Sequence, residues 1–177
     1  MTEKELVKIC SLGETTTVQY KLEFTTQKQI AEELVAFANT RGGVIVFGAE
    51  DKTGKMIGLS YEQLQYTSRE LGNTANEHVR PTIYIDIETV KHDNKAFMVA
   101  YVKNGAYKPY KDLAGNIWVK QGADKRRVIE NAEIRRLLQS SHQYQVDVDG
   151  VEGTSEADID TKALDEYFAH VYSKGVD

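Results

Sequence analysis

The alternation of apolar and polar residues predicts how the first part of the chain folds. Residues 17–24, TVQYKLEF, alternate strictly and predict a half-buried strand whose polar side carries Gln19 and Lys21. Residues 27–39 place apolar side chains at helical spacing, after a capping threonine and before a glycine pair, and so predict a helix that ends at the glycines. Residues 44–47, VIVF, have no polar side, which is typical of a central strand covered on both faces.

The same two periodicities predict the remaining elements. Helices are predicted at 61–79, 129–140 and 161–173, and strands at 82–90, 95–103 and 116–122. A short turn, KHDN, joins the first two of these strands into a hairpin, and residues 104–115 have the composition of a loop. Together these elements predict an α+β fold with a mixed sheet of about five to six strands and helices packed against it.

Composition divides the chain into three parts. Residues 1–143 form the predicted domain, and residues 144–160 are acidic and rich in turn-forming residues, which predicts a linker. The third part, 161–177, holds a terminal helix with an apolar stripe that consists of Leu164, Phe168, Val171 and Tyr172. Because such a stripe needs a partner, we expect it to dimerise, to dock onto the domain or to lead into a further domain.

Amino-acid usage narrows the class of protein. Apolar residues make up 41% and charged residues 28% of the 177 residues, which indicates a soluble globular protein. The single cysteine, Cys10, excludes an internal disulfide, and the four histidines lack the spacing of a metal site. No apolar run reaches the roughly 18 residues that span a bilayer. The N-terminus is too polar for a signal peptide. These features predict a cytoplasmic protein with no membrane contact.

Charge is distributed unevenly along the chain, whose net charge is −5. Residues 91–136 contain 11 lysines and arginines against 5 acids, a net of +6, whereas residues 137–177 contain 2 against 9, a net of −7. Lysine and arginine supply sequence-independent contacts to phosphates. The basic segment therefore favours nucleic acid as a partner.

Seven cations form the predicted nucleic-acid surface, namely Lys21, Arg41, Lys108, Lys111, Lys120, Arg126 and Arg127. Residues 125–127 come directly before a predicted helix, where cations oppose the helix dipole and so suggest a bound partner. Tyr107 and Tyr110 interleave with two of the lysines, and tyrosine can stack on an unpaired base. The alternative is a solvated loop whose tyrosines pack at a dimer or domain interface.

The segment GAEDKTGK, residues 48–55, has the glycines and the lysine of a phosphate-binding loop but not their spacing. Its glycines are separated by five residues instead of four, and Met56 stands where a magnesium-binding serine or threonine is needed. Glu50 and Asp51 inside the loop would also repel phosphates. The segment therefore predicts a turn, and we expect no nucleotide cofactor.

Several blocks of sequence stand out between residues 10 and 140. They are GETTTVQYK at 13–21, IAEELVAFANTRGGVIVFGAED at 30–51, glycines 54 and 58, RP at 80–81 and IWVKQGAD at 117–124. Together they resemble the Schlafen AlbA-like family, whose domain was once called a divergent AAA domain. The resemblance implies an α+β fold, DNA binding, and a place at the N-terminus of bacterial and archaeal transcriptional regulators. For Schlafen proteins it also implies a metal-dependent, RNA-cleaving site.

The resemblance implies that the RNA-cleaving site of Schlafen proteins consists of two acids five residues apart and a third acid after the apolar strand. Glu14 matches the first and Glu50 or Asp51 the third, whereas Gln19 stands at the second. A divalent metal prefers charged carboxylate oxygens, so the neutral amide weakens a Mg or Mn site. Glu23 cannot take over, because four strand residues separate it from Gln19 by about 13 Å.

The leading prediction is a DNA-binding domain of a transcriptional regulator that contacts phosphates and needs no cofactor. The first alternative is a non-catalytic homodimerisation module built on the terminal helix and the tyrosines of residues 104–115. The second alternative is a ribonuclease that requires Mg or Mn, with Glu14, Glu50 or Asp51 as catalytic residues.

Overall fold

The computed structural model describes residues 1–141 and 153–173. Contacts divide the chain into two units, Met1–Tyr144 and Gln145–Asp177. In the described part of the first unit, helices α1 to α4 span Glu3–Leu12, Gln27–Asn39, Tyr61–Glu77 and Asn131–Gln139. Strands β1 to β8 span Val18–Lys21, Gly43–Phe47, Val79–Arg80, Ile85–His92, Lys95–Val102, Lys111–Asp112, Ile117–Gln121 and Asp124–Val128.

A mixed four-stranded sheet in the order β1-β2-β5-β4 lies at the centre of this unit. Strands β1 and β2 are parallel, and the β2–β5 and β5–β4 pairs are antiparallel. Strand β3 pairs with β6, and β7 pairs with β8, in two separate two-stranded sheets. The α+β class and the mixed sheet predicted from sequence are therefore confirmed, although the central sheet has four strands because the later strands pair elsewhere.

Helices cover both faces of the central sheet. On one face, α2 and α3 bury their apolar sides against a core that includes Ile45 and Phe47. On the other face, Leu6 and Cys10 of α1 pack against Val46 of the central strand. This arrangement confirms that β2 is covered on both sides. Helix α1 was not predicted, because only ten residues form it and its apolar side chains cover a narrow stripe.

The hairpin of β7 and β8 adds a further layer that the sequence did not reveal. One of its faces carries Ile117, Val119 and Val128 and packs against α4, and β7 packs against α2. Residues 125–127 consequently lie within β8, and Lys125 stands opposite Lys120 of β7. The prediction that these cations stand directly at the N-terminus of a helix is wrong, since α4 begins only at Asn131 after strand β8 has ended.

Helix α2 ends in a tight turn that brings its C-terminus against strand β5. The backbone N–H groups of Thr40 and Gly42 both donate to Phe37 O, at 3.0 and 2.9 Å. Gly42 has φ +73°, and a Cβ on it would lie 2.5 Å from Val102 O. Only glycine combines that backbone conformation with so close an approach. The predicted helix at 27–39 and its glycine stop are confirmed.

The second unit contains helix α5, Thr161–Ser173, preceded by a short 3-10 turn at Glu156–Asp158. The helix predicted at 161–173 is thereby confirmed. Much of the predicted acidic linker, residues 144–152, and the last four residues, 174–177, lie outside the described residues. No helix in the described ranges is long and apolar enough to cross a membrane.

Candidate functional site

A buried asparagine at the end of α2 fixes the long loop that follows β5. Asn39 Nδ2 donates to Tyr110 O and to Trp118 O, each at 2.9 Å, and Asn39 Oδ1 accepts from Tyr110 N at 2.7 Å. Asn39 is 3% exposed, so these bonds are shielded from water. One side chain thus holds the loop of residues 103–110 and strand β7 against the C-terminus of α2.

Lys108 lies within that loop and points inward. Its ammonium donates to Thr40 O at 3.2 Å, next to the C-terminal end of the α2 dipole, where a positive charge is stabilised. Burial lowers the pKa of Lys108, and the residue is 7% exposed. The structure thus places this predicted phosphate contact in the interior, where it stabilises a helix end.

Lys120 is buried deeper still, in a polar cluster formed by Gln19, Glu33, Lys120 and Lys125. Its ammonium donates to Gln19 Oε1 at 2.7 Å and to Ala123 O, and it lies 3.5 Å from Glu33 Oε2. It also lies 5.2 Å from the centroid of the Phe37 ring, within cation–π range. Its side chain is fully covered, so the fold leaves no path for a phosphate to reach this second predicted cation.

Burial also has the largest effect on the pKa of Lys120. Removal from water lowers the pKa of Lys120, and the nearby carboxylates of Glu33 and Glu14 oppose that change. Lys125 completes the cluster, because its ammonium lies 2.9 Å from Glu33 Oε1 and 3.3 Å from Glu32 Oε2. Two lysines from the hairpin are thereby tied to two adjacent glutamates of α2.

Two further predicted cations are neutralised by neighbouring acids. Lys21 Nζ lies 2.7 Å from Asp51 Oδ2, and Arg126 forms two bonds with Glu133, at 2.9 and 2.6 Å. Bonding to Glu133 raises the pKa of Arg126, and the same bonds lower the pKa of Glu133. The Arg126–Glu133 pair joins β8 to α4. This structural role explains the presence of Arg126 without a bound nucleic acid.

The remaining three predicted cations are exposed and unpaired. Within residues 1–141 and 153–173, the side chains of Arg41, Lys111 and Arg127 make no hydrogen bond and no ion pair. Arg41 lies in the glycine turn after α2, Lys111 in β6 and Arg127 in β8. The seven predicted cations therefore do not form one continuous patch, and these three are the ones free to meet a phosphate.

The three candidate carboxylates do not gather around one point either. Glu14 Oε1 accepts from the Gln19 amide and from Tyr20 N, while Asp51 accepts from Lys21 and from Leu22 N at 3.2 Å. The third candidate, Glu50, accepts from the Thr53 hydroxyl at 2.6 Å. In the part of the chain that the structure describes, no three acids, histidines or cysteines are placed to hold a metal ion.

The residues present consequently do not fit the Mg or Mn site that the resemblance suggested. Gln19, at the position of the second acid, bonds to the buried ammonium of Lys120, so a fixed positive charge already lies beside it. A second cation of higher charge would be repelled at that place.

One member of the buried cluster could have been found from the sequence. Glu33 falls on the apolar stripe of α2, three residues after Ile30 and four before Phe37. A carboxylate on the buried stripe of a helix requires a positive partner, because an unpaired buried charge is very costly. The stripe therefore signals a buried ion pair, although it does not identify which lysine supplies it.

Solved structures share this fold at low sequence identity. The DIP2311 protein from Corynebacterium diphtheriae is 20% identical with a TM-score of 0.53, and the match covers 71% of this chain and 24% of that one. The N-terminal domain of a Nitrosomonas europaea protein, described as related to the ATP-dependent DNA helicase RecG, is also 20% identical. Its TM-score is 0.54, and the match covers 72% of this chain and 94% of that domain.

At these identities the likeness shows the fold alone, and this chain spans about a quarter of the length of the Corynebacterium protein. No curated protein sequence matches the chain. The Schlafen, AlbA_2 family model, in contrast, matches residues 14–129, which include β1 to β8 and their intervening helices. Because that match covers well over half of the sequence, the chain belongs to the Schlafen AlbA_2 family.

Proposed function

We propose that this domain binds nucleic acid by contacting backbone phosphates, with DNA as the favoured form and transcriptional regulation in the cytoplasm as its role. Membership of the Schlafen AlbA_2 family supports nucleic acid as the partner. The likeness to the N-terminal domain of a RecG-related protein agrees with that proposal. The proposed contacts are made by Arg41, Lys111 and Arg127.

The exposed, unpaired state of these three cations is the observation that carries the proposal. The fold neutralises or buries the other four predicted cations, and each of those has an evident structural reason. Arg41, Lys111 and Arg127 have no such reason within the described residues. Unpaired surface cations interact with phosphates without first breaking an ion pair, which favours them as binding residues.

Neutralising all three residues is expected to weaken binding and to reduce its dependence on salt. In the triple variant Arg41→Gln, Lys111→Gln, Arg127→Gln, each lost phosphate contact lowers the slope of log affinity against log salt by about 0.9. The slope should therefore fall by about 2 to 3 in magnitude. Fluorescence anisotropy with labelled single- and double-stranded DNA and RNA between about 50 and 200 mM salt measures both quantities.

A matched control removes the same number of charges from a different place. Lys4 and Lys8 of α1 and Lys91 of β4 are exposed, and α1 packs on the sheet face opposite α2. The variant Lys4→Gln, Lys8→Gln, Lys91→Gln should retain most of the salt slope. Equal losses in the two triple variants would show that only net charge matters, and absence of binding by the unaltered protein at low salt would remove the proposal.

Self-association is the second candidate function, and the exposure of α5 favours it. This helix carries a set of exposed apolar side chains, which comprises Leu164, Tyr167, Phe168, Val171 and Tyr172. Within the helix, the Phe168 ring contacts Tyr167 and Tyr172 at centroid distances of 5.8 and 6.0 Å. An amphipathic helix of this kind is stabilised when its apolar side is covered, and a second copy offers an identical side.

Substitution of two apolar residues on α5 tests this candidate. The double variant Leu164→Asp, Phe168→Asp should shift the mass of the protein toward the monomer, because burying two carboxylates in an apolar contact is unfavourable. Light scattering at several protein concentrations measures the mass. The variant Asp165→Asn, Glu166→Gln alters the same helix without changing its apolar side and should leave the mass unchanged. A monomer at every concentration for the unaltered protein contradicts self-association.

A further inference from the structure

Two exposed tyrosines flank a shallow pocket beside the loop of residues 103–110. The pocket has a volume of about 200 Å³, and its lining includes Tyr84, which precedes β4, and Tyr107. Tyr84 is 90% exposed and Tyr107 is 54% exposed. In the described ranges neither ring stacks on another aromatic ring, and neither hydroxyl makes a hydrogen bond. So much open aromatic surface makes both rings available to a ligand.

Hydrogen bonds and close packing hold the floor of this pocket against the end of α2. Tyr110 lies beneath Gly105, since a Cβ on Gly105 would fall 2.1 Å from the Tyr110 ring. Gly105 N donates to Ala38 O at 2.8 Å, and Asn39 holds both backbone groups of Tyr110. Tyr107 therefore projects from a segment that is fixed to the end of α2. A binding group on a fixed segment loses little conformational entropy when it meets a ligand.

Positive charge lies beside the two rings. The Lys103 side chain is 82% exposed, and its contact with the exposed carboxylate of Asp86 is 3.5 Å long. Such a surface pair contributes little energy, so the ammonium can exchange that carboxylate for a phosphate. The backbone of Arg41 lies near that of Lys103, because the next residue, Gly42, packs against Val102 O. Unpaired aromatic rings next to exchangeable or free cations match the chemistry of a single-stranded nucleic acid, whose bases are exposed and whose backbone is anionic.

We propose that the pocket between Tyr84 and Tyr107 binds an unpaired base of single-stranded nucleic acid, with Lys103 and Arg41 meeting the adjacent phosphates. This inference rests on the proposed nucleic-acid function and specifies its substrate class. A duplex does not satisfy the same site, since its bases are stacked on one another and present no free ring face to a tyrosine. Base stacking on tyrosine is tolerant of sequence, so the site selects for strandedness and not for a particular base.

Removal of both rings tests the proposal by fluorescence anisotropy. The variant Tyr84→Ala, Tyr107→Ala should bind a single-stranded oligonucleotide about 5- to 100-fold more weakly, as expected for the loss of one stacked base. Its affinity for a duplex of the same sequence should stay within about 2-fold, because the phosphate contacts remain. The variant Tyr84→Phe, Tyr107→Phe retains the stacking faces and should bind like the unaltered protein. Single-stranded DNA and RNA of equivalent sequence are both used.

Controls separate this inference from the proposed function itself. Tyr61→Ala removes a comparably exposed tyrosine from α3 and should not change affinity. An oligonucleotide with abasic sites keeps its phosphates, so the two-tyrosine substitution should have no effect on its binding. If the unaltered protein binds single strands and the two-tyrosine variant binds them equally well, the stacking site is wrong while phosphate binding stands. If the unaltered protein binds no nucleic acid, both proposals are wrong.

Discussion

Replacing Glu33 with leucine is expected to lower the free energy of unfolding by about 3 to 5 kcal/mol. The substitution leaves the ammonium of Lys120 without its nearest carboxylate in a place where its side chain is fully covered. Lys125 is affected much less, because it keeps Glu32 at 3.3 Å. Urea denaturation followed by circular dichroism at neutral pH measures the change. The effect comes from stranding a buried charge and exceeds the net value of the ion pair itself.

The pH dependence of stability tests whether the buried charge of Lys120 causes the lower free energy of unfolding of Glu33→Leu. Burial already lowers the pKa of Lys120, and Glu33 is the main influence that raises it, so the variant lowers the pKa further. When the pKa of a lysine is lower in the folded than in the unfolded state, its positive charge destabilises the fold in full below the folded pKa. This penalty decreases as the pH rises from the folded toward the unfolded pKa. The deficit of Glu33→Leu relative to the unaltered protein should therefore shrink as the pH rises from about 7 toward 10.

Two further variants make the prediction specific to the buried pair. Glu32→Gln alters the adjacent acid, whose ion pair is with the more exposed Lys125, and should cost less than about 1 kcal/mol. The double variant Glu33→Leu, Lys120→Met removes both charges and should recover a large part of the stability. A loss of similar size at every pH, with no recovery in the double variant, would mean that packing around residue 33 and not charge is responsible.

Elements with strong, uninterrupted periodicity could be predicted from the sequence. The sequence predicts helix α2 at 27–39, where the structure has it, since its capping threonine, apolar stripe and glycine stop all agree. The apolar run at 44–47 and the hairpin of β4 and β5 were recognised for the same reason. In contrast, β3 and β6 have two residues each, which is too short for any period to be detected.

The roles of the lysines could not be predicted, because they are determined by contacts between distant parts of the chain. Gln19 and Lys120 are separated by 101 positions, and Lys108 reaches Thr40 across 68. A lysine on the polar side of a predicted strand is expected to face solvent. In the fold, however, β7 packs against α2, and the Lys120 ammonium meets Glu33 of α2 and Gln19 of β1. Topology therefore decides which cations remain exposed, and sequence pattern alone does not reveal it.

The exposure of the tyrosines could not be predicted from the sequence pattern either. Tyr107 and Tyr110 looked equivalent in the sequence, yet Tyr107 is half exposed while Tyr110 is 5% exposed and forms part of the core. Tyr84, 23 positions before Tyr107 and ahead of β4, gave no signal in the pattern. Only the folding of the loop against the start of β4 brings Tyr84 and Tyr107 to one pocket.

Replacing Asn39 with alanine is expected to lower the free energy of unfolding by about 3 kcal/mol or more. The substitution removes three hydrogen bonds, two of them buried and one partly buried, and leaves both backbone groups of Tyr110, and one of Trp118, without this partner. Each stranded group costs about 1 to 3 kcal/mol. Because Tyr110 forms the floor beneath Gly105, the loop of residues 103–110 should also loosen before the rest of the fold does.

Hydrogen exchange at the amide of Tyr110 distinguishes that local loosening from a uniform loss of stability. The Tyr110 N–H donates to Asn39 Oδ1, so its protection should fall more than the protection of the amides in β2 and β5. Under conditions where Asn39→Ala remains folded, its affinity for single strands should fall while duplex binding is retained, since Tyr107 loses its fixed support. Asn73→Ala, at an exposed position of α3, is the matched control and should change neither quantity. Equal protection losses throughout the sheet would contradict the assigned role, because the asparagine would then stabilise the whole domain without positioning the loop.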